Sequence, residues 1–152
     1  DAQAVVTHAI GAASSLTVIG RVQSSFGDVL PSSELFDLTG LDSLSPFTAG
    51  ALSADGGVSL RGELAHRVSV TLGGATLNAS PYVFGAVGSP DSTIEDPFTP
   101  SFASAYGAGL RLAGNRFPLG AAPTLTLEYG RHHANRGAGS GGRLSVLFGV
   151  SF

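Results

Sequence analysis

The 152-residue chain contains no cysteine, no methionine and no lysine. Without cysteine there is no disulfide framework, no thiol nucleophile and no cysteine-based zinc or iron–sulfur site. All 8 basic residues are arginine, and a formal net charge of −3 offers no electrostatic footprint for nucleic acid. Charged residues make up only 12% of the chain, well below the share usual in soluble domains. Long apolar runs are missing as well. The longest uncharged candidate, residues 4–20, is interrupted by Thr7, His8, Gly11, Ser14 and Ser15, short of the ~18 apolar residues of a membrane helix. The opening DAQAVVTHAI lacks the basic stretch of a signal peptide. With no methionine anywhere, Asp1 is expected to be a processed or truncated end, any export signal having been removed before it.

What replaces charge is glycine, at 22 residues, together with serine and threonine. That mixture suits strands with one apolar face and one small-polar face, and the periodicity agrees. Leu16, Val18, Gly20 and Val22 oppose Thr17, Arg21, Gln23 and Ser25, with Ile19 the exception. Val58, Leu60, Gly62 and Leu64 oppose Ser59, Arg61 and Glu63. A weaker alternation runs through Leu77, Val83 and Val87, and a clearer one through Phe102, Tyr106, Leu110 and Leu112. Leu125, Leu127 and Tyr129 oppose Thr124, Thr126 and Glu128, and Leu144, Val146, Phe148, Val150 and Phe152 form one unbroken row. These six segments, with a seventh candidate at 3–13, are longer than the ~5–6 residues of soluble strands. They match the ~9–11 residues of a tilted transmembrane strand. A soluble β-sandwich also alternates, but its strands are shorter, and a wet lumen accounts better for the small and charged opposite face. The expected fold is all-β, an antiparallel transmembrane β-barrel in the outer membrane of a Gram-negative bacterium. Phe148, Val150 and Phe152 supply the aromatic-ended last strand such barrels offer to the barrel-assembly machinery.

With Phe152 placed at the periplasmic end, residues 26–56, SPDSTIEDPFTPS and ANRGAGSGG fall outside, so the two longest connections share the extracellular side. GAGSGG (137–142) is a turn between strands and no phosphate cradle, because a strand and not a helix follows it.

The stretch from Leu16 to Leu64 resembles the C-terminal barrel of the two-partner secretion transporters, outer-membrane proteins that export haemolysins and filamentous adhesins. The resemblance rests on Pro31, Ser33, Glu34, Phe36, Leu38, Gly40, Leu41, Ser43, Phe47, Gly50, Leu52, Ser53, Asp55, Gly57, Glu63 and Leu64, in that order. PYVFGAVG (81–88) and SAYGAGLRL (104–112) resemble the next two family segments, so the likeness runs from about Ser15 to Phe152. It implies that the long loop 26–56 folds back into the lumen, with Phe36, Leu41 and Phe47 sheltered against the inner wall; the alternative is an external loop packed on itself. It also implies a latch between a loop arginine and a wall aspartate. Those positions hold Ser45 and Ala86 here. Losing both charges can be nearly neutral where losing one is costly. The family barrel has sixteen strands behind periplasmic domains, so residues 1–152 look like its last part, completed by further sequence, another polypeptide or copies of the chain.

Candidate chemistry is sparse. His132 and His133 are neighbours on a strand, point to opposite faces and cannot hold one metal together. Glu128 and His132 share a face but stand too far apart for tight joint coordination. No nucleophile motif sets a serine against His66, His132 or His133, which are read as exposed loop-base residues at headgroup level. Arg61 and Glu63 are expected to form a lumenal charge ladder with Arg21 and Arg111. The reading is a non-enzymatic, porin-like barrel segment of a protein-transport system, with no cofactor, metal or nucleic acid. Its partners are membrane lipid and either a secreted protein or a complementary barrel subunit. The runner-up is a reduced, non-transporting barrel relative acting as a structural or assembly subunit; an outer-membrane lipid hydrolase comes third.

Overall fold

A computed structural model describes residues 1–72, 75–93, 100–115 and 122–151. Each alternating segment forms a strand: β1 (Ala2–Ile10), β2 (Ser14–Gln23), β5 (Gly56–His66), β6 (Val68–Leu72), β7 (Ala75–Asp91), β8 (Ala103–Asn115), β9 (Ala122–Ala134) and β10 (Ser140–Ser151). Two short strands, β3 (Phe36–Asp37) and β4 (Ser53–Ala54), pair within the long connection. The main sheet is an antiparallel meander ordered β1-β2-β5-β7-β8-β9-β10, with β6 continuing β5 along β7. Ala65 faces Tyr82 and Val68 faces Ala79, so β5 and β6 keep one register across the break. Carried through, that register sets His66 opposite Pro81, which has no N–H to give the ladder. On the other side the Arg67 amide donates to the Ala13 carbonyl at 2.7 Å, one step beyond the Ser14–His66 pair of β2 and β5.

The sheet is strongly curled. Arg61 on β5 and Glu128 on β9 are three strand steps apart, about 14 Å in a flat sheet, yet their side chains meet at 2.7 Å. On the concave side Phe36, Leu38, Leu44, Phe47 and Leu52 of the connection pack on Tyr82, Phe84 and Ala86 of β7, Ala103 and Ala105 of β8 and Ala134 of β9. The connection therefore folds onto the face of the sheet. Leu41 does not join this core: it stands at the rim, 40% exposed, and Leu38, Leu44 and Leu52 take the burial expected of it.

The wall accepts the loop where it lacks side chains. A Cβ on Gly88 would sit 2.7 Å from Leu44 and 2.8 Å from Leu38, and one on Gly130 would sit 2.5 Å from Pro46. Among the described residues nothing pairs with the outer edges of β1 and β10, and these edges do not pair with each other. Six antiparallel steps separate the two, so they run in the same direction. Phe152 lies outside the described residues, as do 73–74, 94–99 and 116–121.

Candidate functional site

Alternation sends Ser59, Arg61 and Glu63 of β5 to the concave side while Val58, Leu60 and Leu64 go to the convex side. The Arg61 side chain is wholly enclosed. Its Nη2 donates to Glu128 at 2.7 Å and lies 3.4 Å from Glu63. Its Nη1 donates to the Ser45 hydroxyl at 2.9 Å and to the Ser43 carbonyl at 3.3 Å. The guanidinium also lies over the Phe84 ring, 3.8 Å from its centroid. Glu128 accepts the Tyr82 hydroxyl at 2.7 Å on the oxygen that meets Arg61, and the Ser45 hydroxyl on the other. Glu63 gives one oxygen to each Nη of Arg111, whose guanidinium stacks over Tyr82. Two arginines and two glutamates balance, so the cluster is an ion network with the loop, through Ser45, bonded into its centre.

This arrangement amends the expected charge ladder. Arg61, Glu63 and Arg111 do meet, but Arg21 stands apart, 3.6 Å from Asp42 of the loop and over the Phe36 ring. The member that completes the network, Glu128, stands in the sequence opposite the apolar row of its strand, where it is weighed only beside His132 as a metal ligand and not with Arg61. Ser45 and Ala86, the two positions the family resemblance singles out, both border Arg61: Ser45 by its hydrogen bond, Ala86 as its register partner on β7. The cation of this latch thus comes from the wall and the loop contributes a hydroxyl.

The histidines divide. His133 bonds Ser140 at 2.7 Å and His66 bonds Ser14 at 2.9 Å, both exposed. His132 departs from the loop-base reading: it faces inward and stacks on Phe47 with ring centroids 4.2 Å apart. Arg143 of β10 donates to the Phe47 carbonyl at 2.6 Å, clamping the same residue from its backbone. Among the described residues no histidine bonds Ser45, and no group of three or more metal-ligating side chains converges. Phe148 and Val150 lie on the convex face, 66% and 44% exposed.

The stem of the loop has its own clasp. The Asp55 carboxylate accepts the backbone N–H of Leu30 and that of Thr93, each at 2.8 Å, tying the loop base to the β7–β8 connection. These bonds favour the ionised form and hold its pKa below the ordinary 3.8. A depressed carboxylate stabilises the fold above its unfolded value and loses that contribution as pH falls through the folded one. Protease cleavage within residues 26–35 is therefore expected to stay flat from neutral pH down to about 4 and to rise below it. Asp55→Asn should remove the acid-dependent step; an unchanged profile in that variant would assign it to another group.

Comparison of the chain with known protein families, characterised proteins and solved structures finds no match.

Proposed function

We propose that this chain is wall and plug of a bacterial outer-membrane β-barrel of the protein-secretion type, its concave face turned to the lumen and loop 26–56 seated there. The observation that carries the reading is the inversion of polarity. Arg61, Glu63 and Glu128 are buried, whereas Leu144, Val146 and Phe148 are more than 60% exposed. Among the described strand residues the convex face carries only Arg131 and Asp91 as charges: Asp91 lies beyond the row of Val22 and Val58 at the loop end, and Arg131 stands nearer mid-height, level with Gly85 and Gly62. Its apolar surface runs from the row of Phe148, level with Ala79, to the row of Val22 and Val58, level with Ser89. Ten steps of about 3.3 Å, tilted as barrel strands are, cover about 25 Å, the height of an outer-membrane apolar band.

Topology limits how the barrel closes. Because β1 and β10 run the same way, joining them directly, or joining copies inserted in the same orientation, makes a parallel seam. All-antiparallel closure needs an odd number of strands beyond these seven. Eight strands in total leave an interior that side chains fill or that holds one small ligand, and here a loop of some thirty residues lies on the concave face, which favours three or more. A reduced, non-transporting barrel subunit is the second reading, favoured by serine and alanine at the positions where the family resemblance expects a charged latch.

The test of the membrane face is a matched pair on adjacent residues. Val146→Arg should cost about 2–4 kcal/mol of stability in lipid, and Ser145→Arg on the concave side much less. Equal penalties in urea unfolding from vesicles would mean that both faces pack against protein, and the membrane reading would fail.

A further inference from the structure

The convex face of β8–β10 changes character at one corner. Outward side chains on β9 run Leu125, Leu127, Tyr129, Arg131, His133, so an aliphatic row gives way to an aromatic ring, a cation and a histidine. Tyr106 on β8 and Gly142 on β10 flank Arg131 in the register. Gly142 leaves its place bare, and the Tyr129 hydroxyl leans there, 3.0 Å from where a Cβ would sit. His133, bonded to Ser140 at 2.7 Å, is the next outward position. The corner thus gathers a guanidinium, a phenol and a histidine–serine pair, and no carboxylate. Among the described residues Arg131 has no ion pair. Among the described strand residues the one carboxylate on this face is Asp91. It stands six residues beyond Gly85, the register partner of Tyr106, which is about 20 Å along β7.

An arginine facing lipid is costly at the bilayer midplane and nearly free at the interface, so its height decides its role. Counted by register Arg131 is near mid-height, but the upper edge of the apolar surface does not follow a register row. Its last aliphatic residues are Val58 on β5 and Leu144 on β10. Val58 pairs with Ser89, whereas the row of Leu144 passes through Tyr129 and Ala108 to Val83, six residues lower on β7. Six residues are about 20 Å along the strands, and the four strand steps from β5 to β10 are about 19 Å across them. Strands tilted by about 45° bring Val58 and Leu144 to one height. At that height β9 carries Arg131, with Tyr106 and Tyr129 just beneath it, where an aromatic girdle belongs.

Resting on the barrel reading above, we infer that this corner docks the phosphate of an outer-leaflet lipid headgroup, with Arg131 as its anchoring cation. The planar guanidinium can hold two phosphate oxygens at once, and the Tyr129 hydroxyl adds a donor beside it. Leu110, Leu127 and Leu144 lie beneath for the acyl chains. The occupant is a lipid and not free phosphate, because the cation stands on the rim of an apolar wall along which only a lipid can lie. The experiment is native mass spectrometry of the whole protein, released into mild detergent from neutral phosphatidylcholine vesicles that contain a small fraction of lipid A. The protein is expected to retain lipid A and to lose most of it when the phosphates of that lipid are removed. Arg131→Gln should cut retention several-fold, and Arg131→Lys should keep part of it as a point charge without the fork. Ser104→Glu sets a carboxylate diagonal to Arg131 on β8. It should cut retention as well, and serves if Arg131→Gln does not insert. Retention unmoved in both charge variants would overturn the role of Arg131. Equal retention of the dephosphorylated lipid, no retention of lipid A, or its release by millimolar inorganic phosphate would overturn the headgroup site and leave the barrel reading standing. Failure of every form to insert into vesicles would overturn the site and the barrel together.

Discussion

Truncating Glu128 to alanine is expected to cost about 3–5 kcal/mol of folding stability, read as the shift in urea unfolding from lipid vesicles. The carboxylate is the principal counter-charge of Arg61, whose side chain is fully enclosed and has its Nε already without a partner. No replacement is at hand. Glu63 lies 3.4 Å from Arg61 but is committed to Arg111 through both oxygens, and Ser43 and Ser45 are neutral. The guanidinium would be left to pay a desolvation penalty of several kcal/mol against hydroxyl and carbonyl partners. The Tyr82 hydroxyl and the Ser45 hydroxyl would lose their acceptor in the same step. Replacing both ions by apolar residues of similar length, Arg61→Met with Glu128→Leu, should cost far less than the two single changes added together, as removing a whole buried pair does. Near-neutral single variants would mean that water reaches the cluster and screens it, and that Ser45 is not held by a buried network.

The strands were legible because the physics that makes them is local. A sheet with one apolar face writes period two into the sequence, and each alternating segment, 3–13 included, became a strand, β1 ending at Ile10 before its turn. The network was only half legible. Arg61 and Glu63 share a face by spacing alone, but Glu128 reaches Arg61 through a register that spans three strand pairs and a curl that no local pattern encodes. The loop was the hardest to read. It has no period, so its apolar residues announce burial without saying which of them is buried. Leu38, Leu44 and Leu52 are fixed by the β3–β4 pinch and by the bonds Leu38 N–H to Leu52 O, at 3.3 Å, and Leu44 N–H to Leu38 O, at 2.9 Å. Leu41 falls on the turn between them, where Ser43 N–H closes onto Gly40 O at 3.0 Å, and its side chain is turned out to the rim. The bare patches at Gly88 and Gly130 have the same non-local origin, since a glycine in a strand looks alike whether it faces lipid or a loop.

Phe47→Ala is expected to release the tip of the loop, at about 3–5 kcal/mol for a buried phenylalanine. The ring is 1% exposed and stacked on His132, and its own carbonyl is the acceptor for Arg143, so one residue joins the loop to both β9 and β10. Removing the ring leaves polar bonds as the hold near the tip, those of Ser45 to Arg61 and Glu128 and those of Arg143 and Arg61 to the carbonyls of residues 47 and 43, against the entropy of some thirty connecting residues. Leu41→Ala is the matched comparison, because a side chain already 40% exposed has little burial to lose. The expected pattern is faster protease cleavage within residues 26–56 in Phe47→Ala and near-native cleavage in Leu41→Ala. Conductance then separates the two functional readings. In a secretion pore the loop is the obstruction, so Phe47→Ala should add openings several-fold larger than the resting current. In a structural subunit the lumen is closed by more than the loop, and the same variant should change cleavage while leaving conductance at its resting level. Equal cleavage of the two variants would mean that the Phe47 ring does not hold the tip, and that the Ser45 network, the Arg143 bond and the packing of Leu38, Leu44 and Leu52 keep the loop on the wall.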